Sequence, residues 1–314
     1  MDEAVAAGIL SKRWKYLWTN VPNMVYCHPL RNNTSFRGFA EFINETLAFH
    51  SCLKIKNFVV NFNYAAHCYE YFDLWVRFAV RNKAEELGLI LLMDPGEDSP
   101  RWVKGSCNYI LPSKLYSNSG LRKLELSLCG FAKNSAISWD SLKSLSLRYV
   151  RLDEYVMGKI LTGSPKLEYL ELNNFTGIKR LNITSASVKK LVLRDYYYYD
   201  DEYPDQNDTS SSYDDDEEDE ENDWKTQLKI SCPHVRALEI LGSFGRTWCR
   251  LTDHPASLVE ANLDFTLNTI DRLYSKFMAY VKCQIMVQGL LERLQNAEKR
   301  SLGTWVFKFR LYNH

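Results

Sequence analysis

Cysteine, histidine and carboxylate side chains are where chemistry would begin in this sequence, and their spacing decides how much is available. The eight cysteines, Cys27, Cys52, Cys68, Cys107, Cys129, Cys232, Cys249 and Cys283, lie 16 to 103 residues apart with no C-x-x-C among them. A zinc site needs close ligand pairs, so that one short turn supplies two corners of the tetrahedron. His50-x-Cys52 with His67-Cys68 comes nearest and lacks that framework. No metal site is therefore expected, and the thiols are read as buried side chains in a reducing compartment. The six histidines stand singly, which leaves nucleophile–base pairing nothing to build on. Asp153-Glu154 follows a strand, where a helix N-terminus favours acid, and is read as capping. There is no G-x-S-x-G elbow, no G-x-x-x-x-G-K-[ST] loop and no H-E-x-x-H, and Gly242-Ser-Phe-Gly245 has no following Lys. No catalytic residue or cofactor is assigned, and the chain is not expected to be an enzyme.

Charge is the second guide. The 314 residues hold 39 basic and 39 acidic side chains, but the balance is uneven along the chain. Between Asp200 and Asp223, 14 of 24 residues are Asp or Glu and none is basic, which leaves 39 basic against 25 acidic elsewhere, a net charge of +14. Asp214 to Glu221 is an unbroken run of eight carboxylates. Such a run repels itself and carries little apolar surface, so a disordered acidic loop is expected over 200–223. The basic residues elsewhere are spread out and accompany no nucleic-acid motif, so no nucleic-acid partner is expected. The rings Tyr196 to Tyr199 are read as closing the structure beside the acidic loop. No stretch approaches the roughly 18 apolar residues of a membrane span, and Met1-Asp2-Glu3 is acidic where a signal peptide needs a basic start. No membrane partner is expected, and the expected location is the cytoplasm or nucleus.

The element pattern that must position any binding group is a repeat. Leu121-Arg-Lys-Leu124-Glu-Leu126, Leu142-Lys-Ser-Leu145-Ser-Leu147 and Leu167-Glu-Tyr-Leu170-Glu-Leu172 all fit L-x-x-L-x-L. Looser copies start at Ile178, Val188 and Val235, and a degraded one at Leu258. The starts at 121, 142, 167 and 188 are 21, 25 and 21 residues apart. The next interval is 47; without the 24 acidic-loop residues it becomes 23, equal to the following step. The acidic stretch is thus an insertion into a regular series, whose period is that of a leucine-rich repeat. The fold class predicted is an α/β leucine-rich-repeat solenoid, with a curved parallel sheet on the concave face and helices and short returns on the convex face. Cys129 falls at the inward turn position of the consensus. The copy at Ile178, ten residues before the next, is either a coil with a very short return or half a coil.

Flanking segments fit the same scheme. Phe58 to Phe62 alternates as a strand, 73–86 reads as an amphipathic helix, and 87–92 as a buried strand. Near the other end, 270–298 reads as one or two helices packed on the last coil, followed by a strand at 304–311. Period-2 alternation within the repeats sends one set of side chains to the concave face: Lys123, Glu125 and Ser127; Ser144, Ser146 and Arg148; Tyr169, Glu171 and Asn173; Lys190, Val192 and Arg194; and Glu239. This ladder, mixed in charge, suits a protein partner better than a polyanion. At the N-terminus, Ala4 to Trp18 makes a helix with Trp14 and Trp18 on one face, suited to sealing the end of a stack.

Leu10-Ser-Lys-Arg-Trp-Lys-Tyr-Leu-Trp18 resembles the closing helix of the F-box in plant F-box/leucine-rich-repeat proteins. The likeness continues through 137–147, 160–168 and 257–265. It implies a substrate-recognition subunit, whose F-box docks on a Skp-type adaptor of a cullin-based ubiquitin ligase and whose repeats present a protein for ubiquitination. Carried over residue by residue, Lys12, Arg13, Trp14, Leu17 and Trp18 would meet the adaptor. The sequence starts inside that domain, so residues 1–30 are read as a truncated F-box and capping helix, and 31–314 as the repeat domain interrupted at 200–223. The alternative is a free-standing repeat module without ligase association.

Overall fold

The computed structural model describes residues 17–28, 35–52, 54–63, 69–92, 109–196, 227–244, 248–266 and 276–303. After a single 3-10 turn at Leu17–Asn20 come β1 (Asn23–Cys27), α1 (Phe36–Phe49), β2 (Asn57–Asn63), α2 (Tyr69–Arg81), β3 (Glu86–Leu92), β4 (Tyr109–Ile110), α3 (Ser113–Tyr116), β5 (Lys123–Ser127) and β6 (Cys129–Gly130). They are followed by β7 (Ser144–Arg151), α4 (Glu154–Gly163), β8 (Tyr169–Thr176), β9 (Arg180–Asn182), β10 (Lys190–Tyr196), β11 (Gln227–Ser231) and β12 (Ala237–Ser243). The last elements are β13 (Trp248–Leu251), β14 (Glu260–Thr266), α5 (Lys276–Arg293) and β15 (Lys299–Leu302).

Ten strands form one sheet in the order β1-β2-β3-β5-β7-β8-β10-β12-β14-β15, parallel throughout, so each coil adds its strand beside the one before. The repeat leucines set the register. Leu124, Leu145, Leu170, Leu191 and Leu238 pair across neighbouring strands, and Leu126, Leu147, Leu172, Leu193 and Ile240 do so two residues on. All ten are buried. No single coil could cover these side chains; stacking makes one continuous core. The ten-stranded sheet lines one face of the stack, its inner face, and the returns between its strands, helical at α1, α2 and α4 and extended at β9, β11 and β13, lie on the other. The chain is the leucine-rich-repeat solenoid that its leucine spacing predicts.

A second sheet, β13-β11-β9, runs along the outer side. It resolves the copy at Ile178: the strand Arg180–Asn182 is the outer return of the coil that starts at Leu167, not a coil of its own. The 47-residue interval resolves likewise. After β10 the chain passes through residues 197–226, which include the acidic stretch 200–223 and lie outside the described residues, and then forms the outer strand β11 before returning as β12.

The N-terminal coils are longer units of strand, helix and strand. The strands expected at 58–62 and 87–92 are β2 and β3. The helix expected at 73–86 starts sooner and stops at Arg81, where Lys83 takes a left-handed φ of 52° and turns the chain toward β3. The inner sheet also takes in Asn23–Cys27, within the first 30 residues. Helix α1 is capped by Ser35, whose Oγ accepts the Gly38 N–H at 3.2 Å, and buries Phe36, Phe39, Ile43 and Leu47. At the far end α5 lies within the expected 270–298 and packs on β13, with Met286 Sδ 3.4 Å from the Cys249 N–H. The strand expected at 304–311 lies outside the described residues; β15 closes the described sheet. No helix among the described residues is long and apolar enough to cross a membrane.

A backbone feature repeats with the coils. Leu128, Tyr149, Asn174, Asp195 and Gly242 hold φ of 56°, 53°, 51°, 52° and 79°. Each stands one residue beyond the register row Ser127, Arg148, Asn173, Arg194 and Leu241. A left-handed residue there bends each strand away from the inner face. The conformation costs an ordinary side chain about 1–2 kcal/mol, and two of the five are Asn or Asp, whose short polar groups can bond locally. Asn174 Nδ2 donates to Asn173 Oδ1 at 2.9 Å, and Asp195 Oδ1 accepts the Ser243 N–H at 2.7 Å. Gly242 is a requirement: a Cβ there would lie 2.2 Å from Asp195 Oδ1.

Candidate protein-binding face

Alternate residues of the inner strands emerge in three rows. The first runs Lys123, Ser144, Tyr169, Lys190, Ala237, Glu260 and Lys299; the second Glu125, Ser146, Glu171, Val192, Glu239, Asn262 and Ser301. The third runs Ser127, Arg148, Asn173, Arg194, Leu241 and Asp264. All thirteen sequence-predicted contact residues fall in these rows. Three of them are not exposed as expected. Ser127 and Ser146 are each 1% accessible and Val192 is 4%. Ser127 sits where the chain turns off at Leu128, and its Oγ accepts the Leu91 N–H at 3.1 Å. Ser146 donates to Glu171 Oε2 at 2.8 Å. Val192 is flanked in register by Glu171 and Glu239. Period-2 alternation gives the direction of a side chain but not its depth, and short side chains between long neighbours are covered.

Glu171 is the centre of the face. It receives Ser146, accepts the Tyr169 hydroxyl at 3.3 Å and stands 3.8 Å from an Arg148 guanidinium nitrogen. Burial and then the Glu171 charge push the Tyr169 phenol up to about 12, since both penalise the phenolate. Around this centre the charges pair off: Lys123 with Glu125 at 2.9 Å, Lys190 with Glu239 at 2.5 Å and Lys299 with Glu260 at 2.8 Å. The Lys299–Glu260 hydrogen bond holds the carboxyl below its usual range and the ammonium above its own. Among the outward rows from β5 to β15, the five cations Lys123, Arg148, Lys190, Arg194 and Lys299 stand against the five carboxylates Glu125, Glu171, Glu239, Glu260 and Asp264. The face is close to neutral and organised from within.

Two parts of it were not among the predicted residues. Beyond Glu239, the residues Ala237, Glu260, Asn262, Lys299 and Ser301 line a recess of about 210 Å³, open where Ala237 stands in a row of larger side chains. The degraded copy at Leu258 carried the phase that would have found Glu260 and Asn262. At the other end β2 sends out Asn57, Val59, Asn61 and Asn63, in a segment without repeat leucines to set a phase. Oδ1 of each of these three asparagines is buried without a hydrogen-bond partner, while Asn61 Nδ2 donates to Cys27 Sγ at 3.3 Å.

The remaining candidates are structural. Asp153 caps α4, its Oδ1 accepting the Val156 N–H at 2.7 Å, and Glu154 Oε1 accepts the Lys179 and Arg180 N–H groups at 2.9 and 3.1 Å. Cys129 is buried in β6, beside β4. The Cys232 and Cys249 thiols are pushed up to about 12 by burial, well away from the range of a reactive thiolate. Tyr196 is buried and donates its hydroxyl to the Ile178 carbonyl at 2.7 Å; Tyr197 to Tyr199 lie outside the described residues. Among the described residues no group of three or more His, Cys, Asp or Glu converges; His67 and Cys68 are not among them. Lys12, Arg13 and Trp14 also lie outside the described residues, while Leu17 and Trp18 belong to the 3-10 turn. That turn is tied to the first coil: Thr19 O accepts the Ser51 N–H and Pro22 O the Lys56 N–H, both at 2.8 Å.

Comparison with known proteins agrees with this architecture. Residues 46–195 match the family model of the At1g61320/AtMIF1 LRR domain. The chain is 28% identical over 304 residues to F-box protein At5g03100 of Arabidopsis thaliana, covering 96% of this chain and 81% of that protein. It is 28% identical to F-box/LRR-repeat protein At5g02910 and 27% identical to F-box/LRR-repeat protein At3g03360 of the same plant, in each case over 96% of this chain. The chain spans about half the length of those two relatives, 55% and 54%.

Proposed function

We propose that this chain, a relative of the plant F-box/leucine-rich-repeat proteins, is a substrate-recognition component of a cullin-based ubiquitin ligase. In this reading the inner face holds the protein to be ubiquitinated, and the segment Leu10–Trp18 docks on a Skp-type adaptor. The role is non-catalytic and is exercised in the cytoplasm or nucleus. The observation that carries the reading is the inner face itself: a row-ordered surface, neutral in sum and prepaired, that offers shape and hydrogen bonding over many strands. A polyanion would gain little from it, whereas a folded partner or peptide can match its alternating charges. The likeness to F-box and F-box/LRR-repeat proteins of Arabidopsis thaliana supports the ligase half of the proposal.

The test is size-exclusion chromatography of the purified chain mixed with a Skp-type adaptor. Co-elution is expected, with loss of the complex on Trp14→Ala/Trp18→Ala. A well-folded chain that elutes apart from the adaptor would contradict the ligase reading and leave a free-standing protein-interaction module.

A further inference from the structure

In the third row of the inner face three donor side chains stand together on adjacent strands. Arg148, Asn173 and Arg194 are register partners on the adjacent strands β7, β8 and β10. With strands about 4.8 Å apart, the two arginine Cα atoms flank Asn173 at about 10 Å from each other, close enough for both guanidinium groups to reach one ligand group. Between the two arginines the acceptor is already engaged: Asn173 Oδ1 takes the hydrogen bond from Asn174 Nδ2, which the left-handed backbone at Asn174 brings alongside. That bond fixes the orientation of the Asn173 carboxamide and leaves its NH2 as the group on offer. Arg148 meets Glu171 only at 3.8 Å, whereas the lysines of the face approach their carboxylates to between 2.5 and 2.9 Å. Arg194 makes no ion pair within 4.0 Å among the described residues; Asp195, next to it in sequence, has Oδ1 taken by the Ser243 N–H.

We propose that the Arg148–Asn173–Arg194 row anchors a carboxylate side chain, Asp or Glu, of a protein partner. The proposal rests on the inner face being the binding face. Two guanidinium groups and an amide NH2 present donors without a free acceptor, and an ionised carboxylate is the side chain that only accepts, with two oxygens to share among them. Glu171, two residues back along β8, repels any anion here in proportion to its charge, which weighs against a phosphate dianion more than against a carboxylate monoanion. A neutral Asn or Gln offers one accepting oxygen in place of two and no charge.

Panning a displayed peptide library on the folded chain tests this. Selected peptides are expected to share an Asp or Glu whose replacement by Asn or Gln weakens binding about tenfold or more. A comparable loss is expected for the Arg148→Gln/Arg194→Gln chain and for Asn173→Asp. The latter keeps the oxygen that Asn174 needs and adds a negative charge between the arginines, so it tests the row even if the double variant folds poorly. Tyr155→Ala, on α4 at the outer side, should change binding by less than about twofold. Binders that respond to Tyr169→Ala but to neither the acid nor the arginines would overturn the anchor and leave the proposed binding face standing. Binders indifferent to every inner-face substitution, or no binders, would overturn both.

Discussion

Tyr169 and Glu171 lie two residues apart on one strand, so both side chains emerge on the same face of the sheet. Their hydrogen bond joins a phenol to a carboxylate that also faces Arg148 and Ser146. Burial first, and the carboxylate second, raise the phenol to about 12. The unfolded chain ionises this tyrosine near its ordinary value of about 10, so its contribution to stability is complete below that pH and is lost as pH rises toward 12. Glu171→Gln removes the second cause, and the Tyr169 ionisation should move to lower pH. The difference in tyrosinate absorbance between this variant and its Tyr169→Phe counterpart, followed through an alkaline titration, measures it; an unmoved titration would mean the carboxylate is not the neighbour that matters. The directions of these side chains were legible from Leu170 and Leu172 alone, since the leucines bracket them in a two-residue alternation. Their partners were not, because Ser146 and Arg148 come from a strand 25 residues earlier and meet Glu171 only through the register.

Helix α4 illustrates what local sequence supplies to an element. Asp153 ends the preceding coil in extended backbone and turns its carboxylate onto the Val156 N–H, while Glu154 reaches the edge of β9. Asp153→Ala should lower stability by about 0.5–2 kcal/mol, measured by denaturant unfolding with the m-value unchanged; a neutral result would show that the cap is not holding the helix. The N-terminal and capping chemistry here was readable because it is written in adjacent residues. Strand Arg180–Asn182 was less so: L-x-x-L-x-L spacing around Ile178 and Leu181 marks a short buried strand without saying which of two sheets receives it. The pair β1 and α1 went unread because Met24, Tyr26, Phe36 and Phe39 fill the core positions with side chains other than leucine. The left-handed column from Leu128 to Gly242 had no sequence signature either, since five different residue types occupy it.

At the scale of the whole molecule, parallel coils place a polar, internally paired face on one side and helices with a second sheet on the other. The face divides along its length, with asparagine and valine side chains on β1 and β2 and charged pairs from β5 onward. A partner that bridges several coils meets each zone in turn, with the arginine row near the middle. The outer side offers isolated exposed rings such as Tyr155 on α4. Site-specific photo-crosslinking compares the two sides directly, with a photoreactive residue placed either at Ser144 on the inner face or at Tyr155 on the outer side and the folded chain exposed to plant extract. Adducts from position 144 with none from position 155 are the predicted result; adducts from 155 alone, or equal yields from both, would contradict recognition by the inner face.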